Sequence, residues 1–163
     1  MKKLLLLSAL LIFACTSDDE SEETFLERYD GVVWEINDAS NNITEGLIMF
    51  NNETQGWIEK STNNSIDEFC YDYAFGVPFD VCIENTDVCE TNIATIIENL
   101  GNRLKYQVTE IDTENSLSSG VLFSYTVLYE VSEQANDMNI TYTTLNSFFL
   151  TAIRTDIAQI SCN

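Results

Sequence analysis

The segment Val121 to Val131 restricts this chain more than any other feature. Val121, Phe123, Tyr125, Val127, Tyr129 and Val131 fall on one side of an extended strand, and Leu122, Ser124, Thr126, Leu128 and Glu130 fall on the other. Apolar matches at every second residue over this length exclude a helix, whose faces repeat every 3.6 residues. The same rhythm returns on both sides. A polar turn, Ser132 to Asp137, leads into Met138, Ile140 and Tyr142, and Phe148 to Arg154 forms a further strand after Leu145-Asn146. The C-terminal third therefore reads as an antiparallel meander with regularly spaced turns.

Earlier segments follow the pattern. Val32, Trp34 and Ile36 alternate with Val33 and Glu35, and Leu47 and Met49 alternate with Ile48 and Phe50. Asn51 to Thr54 turns the chain into Gly56-Trp57-Ile58-Glu59-Lys60. Apolar residues on both faces of these strands predict burial on both sides, or cover from a neighbouring element. The stretch Thr91–Leu100 is ambiguous. Ile93, Ile96, Ile97 and Leu100 carry helical spacing, with Gly101 placed as a C-cap. However, the segment is rich in β-branched residues, and Gly101-Asn102 suits a two-residue hairpin turn into a strand over Arg103–Ile111. Phe75 to Glu90, which holds the single proline, Pro78, reads as a long loop.

About eight short strands joined by polar turns predict a mainly β domain, an antiparallel up-and-down barrel with room for one short helix. Closure is favoured because it removes exposed strand edges. An open two-sheet sandwich is the alternative.

The N-terminus has a different character. Lys2 and Lys3 precede an apolar run, Leu4 to Phe13, of about ten residues, half of what a membrane-spanning helix needs. It ends Leu11-Ile12-Phe13-Ala14-Cys15, which resembles the lipobox of bacterial lipoproteins: aliphatic at −3, small at −1, cysteine at +1. The resemblance implies a signal peptide over 1–14 and a lipid-bearing Cys15, with two or three acyl chains sufficient for stable anchoring. The run Thr16-Ser17-Asp18-Asp19-Glu20-Ser21-Glu22-Glu23 is similar to the surface-export signal of Bacteroidetes lipoproteins. By that resemblance, 15–24 is a lipidated acidic tether and the protein stands on the outer membrane at the cell surface. Residues 25–163 then form the barrel domain. Its opening, Tyr29-Asp30-Gly31-Val32-Val33-Trp34, resembles the start of lipocalin-like bacterial lipoproteins, with Gly-x-x-Trp here in place of their Gly-x-Trp. That likeness implies a small barrel with Trp34 plugging one end and the other end open to a ligand.

Charge removes several function classes. The chain has 27 acidic and 7 basic residues. Without residues 1–14 five basic residues remain, Arg28, Lys60, Arg103, Lys105 and Arg154, for a net charge of −22. Such a surface repels phosphate backbones and anionic headgroups, which excludes nucleic acid and attachment through a polybasic patch. The chain has no histidine, so Ser-His-Asp and Cys-His catalysis and His-ligated zinc are excluded.

Four cysteines besides Cys15 predict two disulfides in an exported protein, and four cysteines allow three pairings. Cys82 and Cys89 enclose a short acidic loop and are natural partners, which leaves Cys70 with Cys162. The lipocalin resemblance leans the same way, since that family often ties its C-terminal tail to the barrel. A four-cysteine zinc site would need paired C-x2-C spacing, which is lacking.

No cofactor is expected. Calcium is the one ion that the acidic loops invite, through Asp80, Glu84, Asp87 and Glu90 or Asp67, Glu68 and Asp72. Neither group matches a calcium-loop motif, and a solvated loop is the preferred reading. Trp57, Tyr71, Tyr73 and Phe75 could line a binding pocket, although aromatic residues at such positions more often build core. The expected function is a non-catalytic envelope lipoprotein whose barrel holds a small apolar or glycan-like ligand. The alternatives are an interaction protein binding another envelope protein and, third, a carboxylate-based hydrolase. An apolar cavity, an exposed apolar patch or two converging carboxylates would separate the three.

Overall fold

A computed structural model describes residues 22–38, 43–63, 68–82, 89–111, 121–145 and 147–162. Cys15, the segment before it and most of the acidic run lie outside these residues, as do Asp67, Glu84 and Asp87.

One short helix precedes the strands. Thr24 caps α1 (Phe25–Arg28), accepting a hydrogen bond from the Glu27 amide while the Glu27 carboxylate accepts one from the Thr24 amide. A single turn is not stable alone. Here it is held by its fully buried Phe25 and Leu26, and Phe25 packs against Tyr29 at 4.7 Å and edge-on to Phe50 at 5.0 Å.

Ten strands follow: β1 (Val33–Asp38), β2 (Ile43–Asn51), β3 (Gly56–Asn63), β4 (Glu68–Ala74), β5 (Pro78–Cys82), β6 (Cys89–Leu100), β7 (Arg103–Ile111), β8 (Val121–Val131), β9 (Asp137–Thr143) and β10 (Ser147–Arg154). All belong to one antiparallel sheet in the order β4-β3-β2-β1-β10-β9-β8-β7-β6-β5. Consecutive strands are neighbours, and β1 pairs with β10 with Trp34 opposite Arg154, so the sheet curls into a nearly closed up-and-down barrel. It is not a two-sheet sandwich.

The barrel expected from about eight strands is present, with ten strands among the described residues. Thr91–Leu100, left open between helix and strand, belongs to β6, and the only helix among the described residues is α1. One expectation needs correction: part of the expected loop over 75–90 is β5, which pairs with β6 so that Cys82 lies opposite Cys89.

The seam of the barrel lies between β4 and β5, consecutive strands joined by Phe75 to Val77 without a shared ladder. Aromatic side chains bridge it. Tyr73 of β4 meets Phe79 of β5 at 4.6 Å, and Trp57 of β3 reaches Tyr106 of β7 at 5.1 Å. At Gly56 the backbone passes so close to β4 that a Cβ would collide with the Tyr73 carbonyl oxygen. Gly101, at φ +52°, makes the two-residue turn between Leu100 and Arg103.

The two ends differ. Tight turns at 52–55, 101–102 and 132–136 share one end with α1, where the Gly101 amide donates to the Glu23 carbonyl at 3.0 Å and the Leu26 amide to Asn99 Oδ1 at 3.1 Å. We call this the helix end. Strands β1, β3, β5, β7 and β9 finish at the opposite end, called here the loop end.

The core fills the barrel. Trp34, Phe50, Leu104, Tyr129, Met138 and Ile140 are fully or almost fully buried there with α1. A second, smaller cluster lies on the outer wall, where Ile160 of the C-terminal tail covers Val33 and Met49, with Leu47 and Ile58 beside them. This accounts for apolar residues on both faces of β1 to β3: one face meets the interior and the other meets the tail.

Candidate functional site: an acid among tyrosines inside the barrel

Register defines which side chains face inward. Across β1 to β4 the partners run Trp34, Ile48, Glu59, Tyr71, with Trp57 and Tyr73 opposite one another toward the helix end. Trp34 and Ile48 are core residues, so the period of two carries Glu59 and Tyr71 to the same interior face. Glu59, Ser61, Tyr71 and Tyr73 line a pocket of about 290 Å³.

A carboxyl group in this position is costly unless it is neutral or paired. Glu59 keeps some accessible surface because it borders the pocket, yet protein surrounds it. Burial pushes its carboxyl above the ordinary glutamate range, and the neighbouring Trp57 indole pulls less strongly the other way. The Trp57 N–H makes no well-formed hydrogen bond among the described residues, so its influence on Glu59 is best treated as a dipole facing a charge.

Tyrosines surround this acid. Burial raises Tyr73, Tyr125 and Tyr142 above the ordinary phenol value, and the Glu59 charge is the second cause in each. Deeper in, Tyr106 and Tyr129 are pushed well up, chiefly by burial, and share a hydrogen bond of 3.1 Å between their hydroxyls. The Tyr71 and Tyr73 rings stack at 5.6 Å, and Tyr142 stacks on Phe148 at 4.4 Å. The interior thus combines one acid, several phenol hydroxyls and the electron-rich faces of their rings.

The aromatic residues singled out in the sequence divide between two roles. Trp57 is core, packed against Phe75 at 4.8 Å, while Tyr71 and Tyr73 border the pocket. Sequence reasoning missed Glu59, Ser61, Tyr106, Tyr125, Tyr129 and Tyr142. The available signal was Glu59 two residues after Trp57, on the same face of one strand.

The disulfides are those expected. Cys70 is bonded to Cys162, which pins the tail against the outside of β4, and Cys82 to Cys89 across the β5–β6 hairpin. Of the acidic residues considered for calcium, the described Asp80 and Glu90 lie on opposite faces of the hairpin. Asp80 pairs with Thr91 and accepts its hydroxyl at 2.7 Å, whereas Glu90 pairs with Val81 on the other face of the hairpin. Among the described residues no three His, Cys, Asp or Glu side chains form a group able to hold a metal ion.

No helix among the described residues is long and apolar enough to cross a membrane. No known family model matches the chain, and no curated protein matches it.

Proposed function

We propose that this chain is a cell-envelope lipoprotein, anchored through Cys15 in the outer membrane and displayed at the cell surface, whose lipocalin-like barrel binds a small ligand without catalysis. The observation that carries the binding reading is the interior pocket of about 290 Å³ lined by Glu59, Ser61, Tyr71 and Tyr73. Small-molecule sites are typically concave, aromatic and provided with a few polar groups, over a range of ~300–1,000 Å³. This pocket sits at the lower edge of that range, which favours a compact ligand over a long acyl chain. Among the described residues its lining holds one carboxyl group, where a two-carboxylate glycosidase needs a second. The envelope reading rests on the lipobox-like segment ending at Cys15 and on the acidic run after it.

Intrinsic fluorescence tests the binding reading, because Trp57 packs on Tyr73 at the pocket wall. Titration with small apolar, glycan-like and charged aromatic molecules should produce a saturable change with at least one class. Ser61→Trp, which fills the pocket, should abolish it. Saturation by none of them, or by all of them equally in the Ser61→Trp variant, would leave the barrel without an interior ligand.

A second reading has its own observation. Phe149 and Ile153 lie on the outer face of β10, 71% and 62% exposed. An apolar strip of this kind favours contact with another envelope protein.

A further inference from the structure

We propose that the ligand of the interior site is a small organic cation, an amine or quaternary ammonium compound, with Glu59 as its counter-charge and the Tyr71 and Tyr73 rings as its walls. The inference rests on the ligand-binding reading above and specifies its chemistry.

Three observations lead to it. First, among the described residues the pocket lining supplies one acid, one hydroxyl and two phenols and no cationic side chain. The ionisable groups facing Glu59 from the packed strands are Tyr71 and Tyr73 of β4, Tyr106 of β7, Tyr125 and Tyr129 of β8 and Tyr142 of β9. None of them can neutralise a carboxylate. Lys60, the nearest basic residue in sequence, belongs to the opposite face of β3, where it pairs with Cys70. Second, stacked aromatic rings beside an acid present negative π-faces to whatever enters, and a desolvated cation gains from them. Third, the chain carries a net charge of −20, so its long-range field attracts cations and repels anions.

Other ligand classes fit less well. A fatty acid or phosphate ester would set its own negative charge against the Glu59 carboxyl and oppose its ionisation. A neutral sugar would satisfy hydroxyl groups but gain nothing from the charge that the acid can carry. A bare calcium ion takes six to eight oxygen ligands, and among the described residues the lining offers one carboxyl group. An ammonium group supplies N–H donors or a diffuse positive surface, the charge that the site lacks. Binding then favours the ionised form of Glu59. Any proton on the carboxyl leaves to solvent, the ligand keeps its own charge, and no covalent bond changes apart from that O–H.

Three probes with one ring and different head groups separate the possibilities: 2-phenylethylammonium, 2-phenylethanol and phenylacetate. With the purified full chain at neutral pH, the ammonium compound should bind roughly tenfold or more tighter than the alcohol. Phenylacetate should bind weakest. Calorimetry in buffers of different ionisation enthalpy, repeated from pH 4 to pH 8, should register proton release with the ammonium compound alone, in the range where the free carboxyl is still protonated. Glu59→Gln, which keeps the shape and removes the charge, should abolish that release and bring the ammonium and alcohol affinities together. Tyr71→Leu, at a half-buried position, should weaken the ammonium compound severalfold and the alcohol less. Equal or tighter binding of the alcohol in the unaltered chain, or unchanged ammonium affinity in Glu59→Gln, would overturn the cation proposal and leave the ligand-binding barrel intact. Failure of all three probes and of the wider panel would overturn both.

Discussion

The hydroxyls of Tyr106 on β7 and Tyr129 on β8 share one hydrogen bond of 3.1 Å inside the barrel, both side chains being almost wholly buried. Tyr129 also faces the Tyr142 hydroxyl within hydrogen-bonding reach, so the pair is part of a chain of phenols. Tyr106→Phe alone should destabilise the fold by about 0.5–1.5 kcal/mol, the net worth of one hydrogen bond, because the Tyr129 hydroxyl keeps Tyr142. The double variant Tyr106→Phe/Tyr129→Phe should lose less than the two single losses added together. Urea unfolding of the four proteins forms the cycle, and strictly additive losses would show that the hydroxyls do not depend on each other.

Glu59 ties stability to pH. Its folded-state pKa is raised by burial, so the folded chain holds this proton more tightly than the unfolded chain does. That contribution is fully present below the unfolded carboxyl value of about 4.3 and is lost as pH rises from there through the raised folded value. Melting curves between pH 4 and pH 8 should therefore show the unaltered chain falling relative to Glu59→Gln across that window. A constant difference between the two proteins would mean that Glu59 ionises in the fold as it does in the unfolded chain.

The disulfides should contribute unequally. Cys70 and Cys162 are 92 residues apart, Cys82 and Cys89 only 7. On the chain-entropy model the long closure contributes about 4.6 kcal/mol and the short one about 2.5 kcal/mol. Replacing Cys70 and Cys162 with Ser should thus cost roughly 2 kcal/mol more than replacing Cys82 and Cys89, as read from denaturant midpoints. It should also free Ile160 from the outer cluster that it forms with Val33 and Met49. Equal midpoints would refute the ranking.

Phe25→Ala tests the plug at the helix end. The ring is fully buried between Tyr29 and Phe50, and its loss should cost about 3–5 kcal/mol. Thr24→Ala removes only the cap and should cost about 1 kcal/mol. Similar losses in thermal unfolding would mean that α1 is held by its cap rather than by its packing.

Cys15→Ser should abolish incorporation of a fatty-acid probe into the chain during growth. Replacing Asp18, Asp19 and Glu20 with Ala should leave the probe in place but protect the protein from protease added to intact cells. Equal labelling of Cys15→Ser and the unaltered chain would refute the anchor, and unchanged protease access would reduce the acidic run to a spacer.

The legible parts of the fold were those where one physical signal acted alone. β8 was plain because its alternation is unbroken through the interior positions Tyr125, Val127, Tyr129 and Val131. The two-residue turn at Gly101-Asn102 was readable for a similar reason: it needs a left-handed residue, and glycine is there. β6 was obscured by a shift of register between Ile96 and Glu98. The irregularity leaves Ile97 without a partner across the ladder and turns Leu100 outward, both exposed, and an interrupted period of two then imitates helical spacing. β5 is an edge strand that opens on proline, with four of its five residues exposed, so it has little inward pattern to read. The short helix left its capping box in Thr24 and Glu27, but one turn is too short for a helical repeat. Glu59 was hidden most effectively. On a strand with apolar residues on both faces, only the register with Ile48 and Tyr71 decides that an acid points inward.

The attachment of α1 to the turn at Gly101 places Glu23 at the helix end, and in the sequence Cys15 lies seven residues before Glu22, at most about 25 Å of extended chain. Were Cys15 the lipid anchor proposed above, that stem would join the cup at its base, and the loop end would be the one facing away from the lipid. Traffic to the interior from that side comes from the surrounding medium, and a molecule dissolved in the bilayer would have to leave it first.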